Sequence, residues 1–140
     1  MADWTLLAVG SAVCAGLTAI LAKIGVENVP SNVATLIRTA VVLLFVVVLI
    51  SLRRQWPHAS HLSARSLLFL VLSGVTTALS WLCYYQALQR GPASLVASLD
   101  KLSVAIAVVL AVVVLGERLT RWQWLGAALT TAGALLLALT

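Results

Sequence analysis

The sequence is poor in charge. Of its 140 residues only 9% are Asp, Glu, Lys or Arg, and the acidic ones number four, against an apolar content of 62%. A soluble domain of this length could not keep that much hydrocarbon from water, so the chain reads as an integral membrane protein. Cysteine is nearly absent as well. Cys14 and Cys83 both fall inside apolar runs, which excludes a disulfide framework or thiolate metal site and leaves them as small packing residues. No paired carboxylates, nucleophile–base pair or metal-ligand spacing occurs. The reading is therefore not an enzyme, with no catalytic residues, no cofactor and no metal. The net charge of +5 does not imply nucleic acid, because the basic residues sit mainly at the ends of apolar runs, where the membrane itself accounts for them.

What is present is hydrocarbon in lengths that span a bilayer, which takes about 20 mostly apolar residues in a helix. Residues 4–22, 66–89 and 122–140 are uncharged throughout. Two further segments qualify if each is allowed one internal charged site: 31–52 around Arg38, and 92–115 around Asp100–Lys101. The expected fold is an all-α bundle of five transmembrane helices at approximately 4–24, 31–52, 66–88, 92–115 and 122–139, in a single membrane domain over 1–140. The first segment lacks a basic leading region and its apolar run is too long for a signal peptide, so it reads as retained. Small residues recur at Gly10, Cys14 and Thr18 in the first segment and at Gly126, Thr130 and Gly133 in the last. Such spacing lets another helix approach closely.

The fourth segment is the one around which the rest is organised. A charge near the middle of a membrane helix costs roughly 2.5–3.5 kcal/mol on insertion scales, so it persists only with a partner, a wet cavity or a task. Counted from Ser31 at about 1.5 Å per residue, Arg38 lies roughly 10 Å deep, and counted from Pro92, Asp100 lies roughly 12 Å deep on the same side. Trp81, counted back from the Arg90–Gly91 turn, falls at a similar level. Arg38, Trp81, Asp100 and Lys101 are therefore the expected substrate-binding or gating residues. Two readings stay open: an Arg38–Asp100 bridge that locks two helices, or a polar cavity in which the cations hold an anionic or zwitterionic group. Asp100 is the only carboxylate at this depth, and so the candidate for proton coupling, although cations beside it oppose its taking up a proton.

Lys23, Tyr84 and Tyr85 are secondary candidates. Lys23 stands at a helix end from which its stem can snorkel to the membrane surface. Tyr84 and Tyr85, near the end of the third segment, read more readily as an interfacial belt than as a ligand wall. His58 and His61 have no acidic neighbour and read as solvated loop residues. Glu117, beside Arg118, reads as a tie across the last turn. Arg53, Arg54, Arg65, Arg118 and Arg121 lie on the side of the N-terminus and Lys23 and Arg90 on the other. This places the N-terminus in the cytoplasm and the C-terminus outside an inner (plasma) membrane.

The stretch ALQRGPASLVASLDKL, followed by LGERLTRWQWLGAALTTAGALLL, resembles the second part of an EamA domain of the drug/metabolite transporter superfamily. The opening, with Lys23, Pro30-Ser31 and Leu36-Ile37-Arg38-Thr39, resembles the matching first part. The chain is most similar to the short bacterial and archaeal branch with a single five-helix unit. It differs from the small multidrug resistance proteins, which have four helices and an acidic residue in the first. The resemblance implies transport of a small polar or amphipathic metabolite by alternating access. Its partners would be the lipid bilayer, the substrate, and a second five-helix unit, most simply in a homodimer. Two rivals are a non-transporting membrane subunit of a larger complex and a flippase component for a lipid-linked phosphate or sugar.

Overall fold

The computed structural model describes residues 3–54 and 63–139. His58 and His61 lie outside the described residues. Six helices occur in the order α1 (Asp3–Gly25), α2 (Ser31–Leu52), α3 (Ala64–Arg90), α4 (Ala93–Asp100), α5 (Leu102–Leu115) and α6 (Arg121–Leu139). Taking α4 and α5 together, five spans are long and apolar enough to cross a membrane. No strand occurs among the described residues, as the bilayer demands of a chain whose backbone groups must be satisfied within each segment.

The helix ends follow local chemistry. Pro30 and Pro92 immediately precede α2 and α4, where a missing N–H costs nothing. Ser63 accepts the Ser66 N–H at 3.1 Å at the start of α3, an N-cap bond. Thr120 and Gln123 form a capping box before α6: the Thr120 N–H donates to the Gln123 side-chain oxygen at 2.7 Å, and the Gln123 N–H donates back to the Thr120 hydroxyl at 3.4 Å. At the other end of α5, Gly116 adopts a left-handed φ of 69° and the Glu117 N–H bonds the Ala111 carbonyl at 3.2 Å. A residue with a Cβ would be strained there.

The fourth apolar segment differs from the expected single helix, because it breaks at Lys101. The Lys101 N–H bonds Ser98 O and the Val104 N–H bonds Lys101 O, each at 3.0 Å. These tight three-residue closures replace the ordinary helical ladder. Just before the break, the Ser98 hydroxyl bonds the Ser94 carbonyl at 2.7 Å, a back-bond that bends helices.

The chain divides into two compact units. Residues 21–89 form one, and Met1–Ile20 with Arg90–Thr140 form the other. In the second unit α4 and α5 both pack on α6. Very little of the chain is buried. Ala19, Val26, Tyr85, Leu88 and Ala134 are the buried hydrophobic residues, with Ser31 and Thr35 the buried polar ones. Cys14 and Cys83 are exposed and unbridged.

Candidate functional site

Most of the buried residues among those described belong to the 21–89 unit, and one of them, Tyr85, meets Arg38. On α2, Ser31, Thr35 and Arg38 recur at helical spacing and share one face. Ser31 and Thr35 are each 8% exposed. The Thr35 hydroxyl donates to Ser31 O and the Thr39 hydroxyl to Thr35 O, both at 2.8 Å, so these side chains satisfy themselves on their own helix. On α3, Trp81, Tyr85, Leu88 and Gln89 stand at i, i+4, i+7 and i+8, again one face.

The two faces meet at the guanidinium. Its Cζ lies 3.7 Å from the Trp81 ring centroid and 6.0 Å from that of Tyr85. Its Nη1 donates to the Tyr85 hydroxyl at 3.1 Å. A cation over an indole face away from water is stabilised by about 2 kcal/mol, with its charge intact. Among the described residues of this unit Arg38 forms no ion pair, and the only carboxylate there is Glu27, on an exposed turn.

Two polar side chains close the end of this arrangement. The Lys23 ammonium donates to the Leu88 carbonyl, and the Gln89 amide donates to the carbonyls of Val29 at 2.6 Å and Val26 at 3.3 Å. All three carbonyls lie at or just past helix ends, where no helical donor reaches them. The turn between α1 and α2 is thereby fastened to the last turn of α3. Between them is a cavity of about 180 Å³, walled by Ala22, Gly25, Val26, Val29, Ala34 and Ile37 and floored by Arg38 and Tyr85.

Of the expected site residues, the structure brings Arg38, Trp81 and Tyr85 together and places Lys23 at the same end of that unit. Tyr85 is only 3% exposed and turns inward to Arg38, not outward as an interfacial belt. Tyr84, half-buried, lies beside it with ring centroids 6.4 Å apart. Lys23 bonds a carbonyl of its own unit, a use that snorkelling did not anticipate. Leu88 and Gln89 escaped the sequence reading, although their spacing from Trp81 and Tyr85 carries the signal.

Asp100 and Lys101 belong to the other unit. Their side chains pair with each other at 3.7 Å and are 44% and 53% exposed, respectively, at the break between α4 and α5. Glu117 is exposed and joins its turn through its backbone N–H; among the described residues of its unit its carboxylate forms no ion pair. The turn is closed by this backbone bond around Gly116. A second cavity in this unit, about 370 Å³, is an open groove between α5 and α6 walled by residues such as Ala105, Val108, Ala128 and Thr131. Gly126 and Gly133 point elsewhere: a Cβ added at either would meet nothing within 4 Å. Among the described residues no group of His, Cys, Asp or Glu is placed to hold a metal ion.

Comparison with known proteins agrees with this architecture. Residues 3–139 match the EamA-like transporter family. The chain is 46% identical over 136 residues to a Sinorhizobium protein named "Uncharacterized transporter in cobO 3'region", an alignment covering 97% of this chain and 96% of that protein. No solved structure matches.

Proposed function

Because this chain belongs to the EamA-like transporter family and is a multi-pass membrane transporter, we propose that it moves a small polar or amphipathic metabolite by alternating access. The observation that carries the reading is the placement of Arg38. A guanidinium within a membrane helix, held by two aromatic rings and with no carboxylate partner in its own unit, faces a cavity of about 180 Å³. A charge kept at that cost and left uncancelled suits a binding task better than a structural one. Trp81 and Tyr85 act as the wall that aims it. Asp100 and Lys101, at a helix break within a span, form the gate.

The working assembly is a pair of five-helix units, most simply a homodimer in the plasma membrane, with the N-terminus cytoplasmic. The open glycine faces of α1 and α6 support it: a Cβ at Gly10, Gly16, Gly126 or Gly133 would meet nothing within 4 Å, so close approach by another helix is sterically free. The test is flux in proteoliposomes. Purified protein should move labelled metabolites, and Arg38→Gln should abolish flux while inserting normally. Undiminished flux in that variant would remove Arg38 from the mechanism. One observation favours a second reading. The apolar α5–α6 groove is large enough for part of an acyl chain, which would suit a flippase component for a lipid-linked phosphate or sugar. Dye-labelled lipid crossing the bilayer only when protein is present would select it.

A further inference from the structure

We propose that the cavity beside Arg38 selects compact organic monoanions, a single carboxylate on an apolar body of about six carbons, over zwitterionic amino acids. This rests on the transport reading above and specifies its substrate class.

The anionic group follows from the unspent donors of Arg38. A guanidinium has five N–H donors in a planar fork that matches a carboxylate in bidentate fashion. Among the described residues of the 21–89 unit, its hydrogen bond goes to the Tyr85 hydroxyl, and Trp81 covers one face. Neither partner carries a negative charge. Stacking and a neutral acceptor orient the cation without cancelling it, so the fork stays available to an anion.

Size and polarity of the walls define the remainder of the ligand. A cavity of about 150 Å³ accommodates a benzene ring, so about 180 Å³ takes a body of roughly six carbons. Val26, Val29 and Ile37 offer that body hydrocarbon.

The exclusion of amino acids follows from the acidic residues. Within residues 21–89 Glu27 is the only carboxylate. It is exposed and does not line the cavity. An α-ammonium carried in beside the carboxylate would be desolvated with no opposite charge in the unit to meet it, a costly burial.

The test uses the intact chain with Trp4, Trp56, Trp122 and Trp124 changed to Phe, so that Trp81 is the sole tryptophan. In phosphatidylcholine nanodiscs, 4-methylpentanoate should change Trp81 fluorescence saturably. Its amide, 4-methylpentanamide, and leucine should each bind at least about tenfold more weakly, equivalent to about 1.4 kcal/mol. Arg38→Gln should lose the carboxylate response, and Arg38→Lys, which keeps the charge, should retain a weakened one. Leucine or the amide binding as tightly as the acid would overturn the proposal, as would a carboxylate response unchanged in Arg38→Gln. Phosphatidylglycerol separates free anion from lipid headgroup. An unchanged midpoint supports the free anion, whereas anionic lipid that reproduces and blocks the response assigns the site to a headgroup. Flux in proteoliposomes separates this proposal from the transport reading. Arg38-dependent flux of leucine but not 4-methylpentanoate sinks the monoanion and leaves transport standing. Saturable binding of 4-methylpentanoate with no flux of either compound leaves the site specificity standing and sinks transport.

Discussion

The two units of this chain hold themselves together by different physics. In residues 21–89, side chains reach between helices with polar bonds: Arg38 to Tyr85, Lys23 to Leu88, Gln89 to Val26 and Val29. In the unit that contains α4, α5 and α6, the groove between α5 and α6 is lined mainly by alanine and valine. The hydrogen bonds at Thr120–Gln123 and the ion pair at Asp100–Lys101 join near neighbours in sequence. Lipid tails are as apolar as these side chains, so apolar contact gives little preference for one partner over another in a bilayer. Polar bonds there do discriminate. The polar bonds of residues 21–89 therefore favour one arrangement of those helices.

Substitutions that remove this contrast should have graded effects. The largest belongs to Trp81→Ala, which takes away the surface on which Arg38 rests. About 2 kcal/mol of stability should go with it, read as a lower midpoint in unfolding by sodium dodecyl sulfate, with flux abolished. If unfolding of Trp81→Ala matches the parent, the first unit is not held as described. Next comes Gln89→Leu. Membrane hydrogen bonds average about 0.6 kcal/mol, so losing both should cost about 1 kcal/mol. Amide exchange should accelerate at the α1–α2 turn and stay unchanged in α6. Gly116→Ala, in the second unit, should cost about 1 kcal/mol through its left-handed backbone alone and leave Trp81 fluorescence unmoved. The smallest change in stability belongs to Asp100→Asn, since an exposed ion pair is worth under about 1 kcal/mol. Flux in that variant should nonetheless fall if Asp100 belongs to the proposed gate. A variant that transports normally would demote Asp100 and Lys101 to surface residues.

The residues announce some of this and conceal the rest. Five spans are visible because hydrocarbon length is a one-dimensional property, additive along the chain. Depth is also one-dimensional, which is why Arg38 and Trp81 could be set at one level before any coordinates. Facing is not. Tyr85 reads as a membrane-surface residue by position and turns out to be buried against Arg38, because the turn of α3 on which it lies is fastened by Gln89 to the α1–α2 turn. The break at Lys101 was hidden for a similar reason. It is marked by a local change of hydrogen-bond register, which does not alter the apolar content of the segment. The capping box at Thr120–Gln123, by contrast, was written openly in the spacing of a Thr and a Gln.

The bond between Arg38 and Tyr85 joins residues 47 positions apart, and that interval sets an order of events during synthesis. When α2 emerges from the ribosome, neither Trp81 nor Tyr85 has yet been made. Arg38 must enter the bilayer alone, at roughly 2.5–3.5 kcal/mol, or wait at the translocon. The hydrocarbon that follows it in α2, from Val41 to Ile50, offsets part of that penalty, and the arrival of α3 relieves the remainder. The second and third helices should therefore enter the membrane as a couple, and a nascent chain halted between them should slip back more readily than one halted after α3.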